Sequence, residues 1–358
     1  MNDRAVEWSY AAVWRIARTL PARTAYALFQ AGADRAARKS GEGVTRLADN
    51  LRQVVGPAMP EDQFQLLVRD GMRSYARYWC DAFRLSSQTQ DQHRAGFTLH
   101  GHDVLLTNCA AGQGTVLALP HSGNWDAAGA WVAAMGMPIT TVAERLRPEG
   151  LYERFLAFRE SLGMEIIPLT GGDRPVMDVL AERVHAGTVL PLLADRDFSK
   201  NGVGVTFFGR RTRMPAGPAI LALRTGAPLY TVDMWYEAGG PVGRMSAPLV
   251  MPDPASGTMT ERVQMLTQKI ADNFAAGIKR RPQDWHMLAK MFVPEKPARA
   301  PKAVSATKPV SVAEPVSVAE PVSVAEPVSA SEPVCASESV SVSKSVSVSK
   351  SVSVEVEG

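Results

Sequence analysis

From about Phe97 to Met251 the chain alternates short apolar runs with longer amphipathic ones, and few folds accept that rhythm. The runs Gly114–Leu119, Pro138–Ala143, Met164–Leu169 and Thr188–Leu193 have the length and apolar character of buried strands. Residues Trp125–Met135, Pro148–Leu162, Arg174–Ala186 and Pro215–Arg224 carry helical spacing instead. Such alternation implies an α/β fold with a mostly parallel central sheet flanked by helices, because each returning helix buries one sheet face. Two further strand-like runs, Pro228–Tyr236 and Arg244–Met251, stand either side of Gly239-Gly240, so an antiparallel hairpin is expected to close one edge. A long helix over about Thr260–Arg280 completes a core spanning residues 96–294.

Residues 1–95 read as an N-terminal helical segment, with further helical patterns at Gly43–Val55 and Glu61–Phe83. Between Trp8 and Ala33 the only charges are Arg15, Arg18 and Arg23. A basic helix with tryptophans can lie in a membrane interface or pack on its own domain, and opposite faces can do both. Residues 295–358 turn to Ser-Val-Ala-Glu-Pro-Val repeats and Ser-Val-Ser-Lys units, with nothing large and apolar to pack, so a disordered low-complexity tail is expected.

Beyond residue 300 four lysines stand against seven glutamates, so that tail carries −3 and residues 1–300 carry +6 of the net +3. A mildly basic folded part suits an anionic membrane surface or a phosphate-bearing substrate. No arginine-rich run, zinc spacing or aromatic RNA-binding signature calls for nucleic acid. Cys80, Cys109 and Cys335 have neither metal nor redox spacing, which fits a reduced, cytosolic setting. No uncharged apolar stretch reaches the ~18 residues of a spanning helix.

In open α/β sheets, sites lie beyond the carboxyl ends of strands. The first such point reads Pro120-His121-Ser-Gly-Asn-Trp-Asp126. There an Asp126 carboxylate can accept from one ring nitrogen of His121 while the other takes a proton from a hydroxyl. Asp126 falls in the first helical turn, where N–H groups favour its charge; Ser122 or Asn124 is a natural N-cap, and Gly123 allows close approach of a substrate. None of the other five histidines has an Asp at the same spacing. The later strand ends supply Glu144, Arg145 and Arg147, then Asp195, Arg196 and Asp197, where an arginine between two carboxylates is either self-paired or functional. Phe207-Phe208 and Met214 are expected in the core, with an acyl path as the other reading.

The string His121–Asp126 behind an apolar strand resembles the motif of the bacterial lipid A biosynthesis acyltransferase superfamily, of the glycerophosphate acyltransferase-like fold. Leu193-Ala-Asp195-Arg196-Asp197, Gly202–Gly209 and Met214–Pro218 are similar to it as well, and the likeness spans about residues 8–292. In detail the chain looks like the branch that acylates phosphatidylinositol mannosides. The resemblance implies that acyl-CoA is a co-substrate, with no permanently bound cofactor, no metal and no acyl-enzyme. It implies that His121, aided by Asp126, deprotonates a mannose hydroxyl of a phosphoinositide glycolipid acceptor, which attacks a fatty acyl thioester such as palmitoyl-CoA. It further implies that Glu144 holds the acceptor, that Arg147 or Arg159 binds its phosphate or the cofactor, and that the enzyme is peripheral at the cytoplasmic face of the bacterial cell membrane. Superfamily members commonly carry Glu where Asp195 stands. Two alternatives remain at this level: acylation of a lipid A precursor, or a non-catalytic membrane lipid-binding protein.

Overall fold

The computed structural model describes residues 3–144, 148–197 and 202–292, without the side chains of residues 3–7 and 9. The expected disordered tail and Arg147 lie outside the described residues. Five helices come first: α1 (Asp3–Thr19), α2 (Ala22–Lys39), α3 (Glu42–Val55), α4 (Glu61–Leu85) and α5 (Gln90–Ala95). The alternating part then runs β1 (Thr98–His100), α6 (Asp103–Ala110), β2 (Thr115–Leu119), α7 (Trp125–Ala134), β3 (Thr140–Ala143), α8 (Glu149–Ser161), β4 (Glu165–Pro168), α9 (Val176–His185) and β5 (Val189–Leu193). After it come β6 (Val203–Phe207), β7 (Arg210–Met214), α10 (Gly217–Thr225), β8 (Leu229–Glu237), β9 (Gly240–Met245) and α11 (Met259–Arg280), and a 3-10 turn at Pro282–Asp284 follows.

The main sheet has the order β1-β9-β8-β2-β5, and β2 pairs in parallel with both β5 and β8. A parallel bridge from Ile139 to Val189 joins the β3–β4 pair to the free side of β5. All five residues of β2 are buried, as the central strand of a doubly covered sheet requires. Its alternate side chains feed two separate cores. Leu117 and Leu119 pack with Trp131, Phe155 and Phe158 on one face, whereas Val116 and Ala118 pack with Leu221, Leu266 and Phe274 on the other.

Three expectations need correction. The β8–β9 hairpin is present, but β9 begins at Gly240, and it does not close the edge, because β1 adds in parallel outside it. At three residues, β1 is too short to show a period. The antiparallel β6–β7 hairpin was also not anticipated; it turns at Phe208 and Gly209, both with positive φ. Phe207 and Met214 lie in the core. Gly123 serves packing, since a Cβ there would come within 2.8 Å of the β8 backbone at Met234 and Trp235.

The helical segment has its own small core, in which Leu47 and Leu51 of α3 meet Phe64 and Val68 of α4. The α1 helix docks through Trp14, whose ring lies 4.9 Å from Phe83 and 5.2 Å from Phe158. Its opposite face leaves Trp8, Val13 and Ile16 exposed. Trp14→Ala is expected to destabilise the protein by about 3–5 kcal/mol through loss of a large aromatic from a closed site, which chemical denaturation would measure; a change below ~1 kcal/mol would mean that α1 is not part of the cooperative fold.

Candidate functional site

The β2–β5 register determines what meets at the sheet's carboxyl edge. Leu119 lies opposite Leu193, and the Ala194 N–H continues the ladder to the Leu119 carbonyl at 2.8 Å. Two residues further on each strand therefore come face to face, and these are His121 and Asp195. The His121 Nδ1 lies 2.5 Å from Asp195 Oδ1, and the His121 backbone N–H donates to Asp195 Oδ2 at 2.9 Å. The Trp285 indole N–H donates to that same oxygen at 2.9 Å. Asp195 and Trp285 are fully buried, whereas the His121 side chain remains 19% exposed.

Burial works against charge on Asp195, yet the His121 ring and the N–H donors of His121 and Trp285 hold its carboxyl below the usual range. With Nδ1 facing an ionised carboxylate, that nitrogen carries the proton and Nε2 is left as the basic one. The arrangement can take a proton from an approaching hydroxyl.

The expected pairing of His121 with Asp126 is thus replaced by one with Asp195. Asp126 is also buried, but its oxygens are engaged elsewhere: the Tyr78 hydroxyl donates at 2.7 Å and Arg159 Nε at 2.8 Å. The reason is helical geometry, since α7 starts at Trp125 and turns Asp126 toward α4 and α8 rather than back to the loop. Burial opposes the Arg159 charge, but Asp126 and Tyr78 outweigh it and keep the guanidinium protonated. Arg159, expected to reach a phosphate or the cofactor, is therefore committed inward. Asn124 is the N-cap, accepting from the Ala127 N–H at 2.9 Å; Ser122 is buried and does not cap.

Glu144 follows β3 at the same edge, half-buried, with no hydrogen bond or ion pair to any described residue. Arg196 is half-buried beside Asp195. Asp195 is not self-paired with it, being held by His121 and Trp285, while Asp197 accepts from the Gly202 N–H at 3.0 Å.

Trp285, Tyr78 and His286 were missed by sequence reasoning. A Trp-His pair just after the last helix was the one local signal; Tyr78, inside a long helix, gave none. Buried His286 places Nε2 2.9 Å from the Ser74 hydroxyl, which donates to Asp284.

With this geometry in view, comparison with known proteins decides the family. The model of the bacterial lipid A biosynthesis acyltransferase family matches residues 1–293. The chain belongs to that family. It is similar to the phosphatidylinositol mannoside acyltransferase of Mycolicibacterium smegmatis, with 47% identity over 295 residues that cover 82% of this chain and 93% of the relative. Proteins of the same name from two strains of Mycobacterium tuberculosis are 44% identical over 288 residues, 79% of this chain and 87% of each relative. The His121–Asp195 edge is therefore the candidate active site of an acyltransferase.

Burial, with a smaller contribution from His121, lowers the His286 pKa from 6.5 to about 3. Only the unfolded chain takes up that proton between these values, so the His286 contribution to stability is intact above about pH 6.5 and is lost progressively as pH falls. Between pH 7 and pH 5 the wild type should lose about 2 kcal/mol that His286→Gln retains, read from denaturation midpoints at each pH; parallel losses in the two proteins would contradict a neutral, buried His286.

Proposed function

We propose that the protein transfers a fatty acyl group, palmitoyl in the simplest case, from acyl-CoA to a mannose hydroxyl of a phosphatidylinositol mannoside. The acceptor is suggested by the names of the relatives that cover most of the chain. The reading of the chemistry rests on one observation, the His121 ring held by a buried carboxylate with Nε2 left over.

In the proposed step, Nε2 takes the hydroxyl proton as the oxygen attacks the thioester carbon, and the resulting imidazolium is stabilised by Asp195. The tetrahedral oxyanion needs preorganised donors. We assign this role to the N–H groups of Trp125 and Asp126 at the start of α7, because the Asn124 cap takes the Ala127 N–H and leaves these two without a cap. Collapse expels the coenzyme A sulfur, which takes the proton back from Nε2 and leaves as a thiol. Asp126, bound by Tyr78 and Arg159, keeps the first turn of α7 in position. Glu144, without a partner among the described residues, is assigned to the acceptor's hydroxyls.

The α1–α2 surface is assigned to the membrane. Trp8 is 76% exposed and Ile16 48%, and Arg15, Arg18 and Arg23 are exposed beside them. A basic, aromatic, apolar face of this kind binds anionic interfaces. No described helix is long and apolar enough to cross a membrane.

Purified protein given palmitoyl-CoA and separate acceptors (phosphatidylinositol mannosides, a lipid A precursor, lysophospholipids) should release thiol only with the mannosides. His121→Ala should lower that rate by about 10²–10⁴-fold. Release with the lipid A precursor alone would overturn the acceptor, and an unimpaired His121→Ala would overturn the base. Trp8→Ser with Ile16→Ser should weaken co-sedimentation with anionic vesicles at unchanged thermal stability, whereas unaltered sedimentation would remove the membrane role from this face.

A further inference from the structure

We propose that Trp285 is the positioning residue of the acyl-transfer base, holding Asp195 so that its other oxygen stays on the His121 ring. The proposal rests on the reading of His121 as that base. Three donors converge on the Asp195 carboxylate, and two belong to His121 itself. The third, the Trp285 indole N–H, is among the described residues the one that comes from elsewhere in the chain. Without it, Oδ2 would keep only the His121 backbone N–H, and the carboxylate would be free to rotate about its Cβ–Cγ bond.

The segment carrying Trp285 is built against the catalytic loop by its backbone as well. Pro282 follows the end of α11 and opens a 3-10 turn, after which Trp285 is extended, at φ −91° and ψ 104°. Residues 284–286 then run antiparallel to the loop. The Gly123 N–H donates to the Asp284 carbonyl at 2.9 Å, and the His286 N–H donates to the His121 carbonyl at 2.7 Å. Ser122 and Trp285 form the bridge between these two bonds. The loop residue that bears the base is thus hydrogen-bonded on one side to Asp195 and on the other to the strand-like segment that bears Trp285.

The indole is itself fixed. Trp285 is fully buried, with Phe207 and Phe208 each 5.9 Å away, at 78° and 52° to its plane. Those rings come from the β6–β7 hairpin, so a structure remote from the chemistry sets the direction of the N–H. Among the described residues, Asp195 beyond β5 faces the His121 ring, His286 from the same segment as Trp285 interacts with its charge, and the Asp126 charge in α7 is matched by Arg159. Of these, only Asp195 is hydrogen-bonded to the His121 ring.

Trp285→Phe removes the donor and keeps most of the volume. Benzothienylalanine at position 285 keeps the whole ring shape with sulfur in place of N–H, and it serves where the Phe variant does not fold. Both should lower kcat about ten- to a hundredfold with KM for palmitoyl-CoA little changed, as loss of a donor to a charged acceptor would. The Asp195 carboxylate, free to rotate off the ring, should hold the imidazolium less tightly. The acid limb of kcat/KM should therefore move down by about one pH unit. A purely structural tryptophan would reduce the amount of folded enzyme and leave the limb in place. His121→Ala is run alongside: if it retains activity, the base reading fails. If it abolishes activity while the position-285 variants keep both kcat and the acid limb of wild type, the positioning role of Trp285 alone is overturned.

Discussion

Leu119 faces Leu193 across two parallel strands, and the Ala194 N–H carries that register past the strand ends to the Leu119 carbonyl. Everything at the site follows from this pairing. Because neighbouring parallel strands stay in step, the second residue beyond each one arrives at the same height. One of these residues is His121 and the other is Asp195. The sheet is covered on both faces, so Asp195 emerges inside the protein rather than at its surface. Burying a carboxylate is costly unless it is paired and hydrogen-bonded, and here the imidazole and two N–H groups meet that demand.

A second buried carboxylate solves the same problem differently. Asp126 sits in the first turn of α7 and is matched by Arg159 from α8 and Tyr78 from α4. Two acids within seven residues of the ends of β2 and β5 thus have separate partners. One holds the His121 ring, while the other ties three helices together. The N-terminal helical segment is accordingly joined to the site, since α4 contributes Tyr78 to Asp126 and Ser74 to the network of Asp284 and His286.

The two faces of α1 differ for a related reason. Its inward face is spent on Trp14, which packs among Phe83, Phe155 and Phe158. Among the described residues the outward face has no packing partner, and it keeps its apolar side chains between arginines. A helix whose apolar residues encircle more than one face has more apolar surface than its own domain buries.

Much of the architecture was legible because it is local. The strand–helix alternation from residue 114 to 225, the long last helix and the N-cap at the start of α7 are each written in a few consecutive residues, and the structure places them within a few positions of the expected bounds. The placement of His121, Asp126 and Asp195 beyond strand ends was legible for the same reason. What the sequence could not determine was which of them meet. His121 and Asp126 are five residues apart and look like a pair, whereas His121 and Asp195 are separated by 74 positions and hydrogen-bond directly. That outcome depends on strand order, on the twist that brings Trp285 under Asp195, and on the direction a helix turns its first residues. Local sequence specifies periods and ends; neighbours across a sheet are chosen by the packing of the whole chain, and only the tertiary structure makes that choice visible.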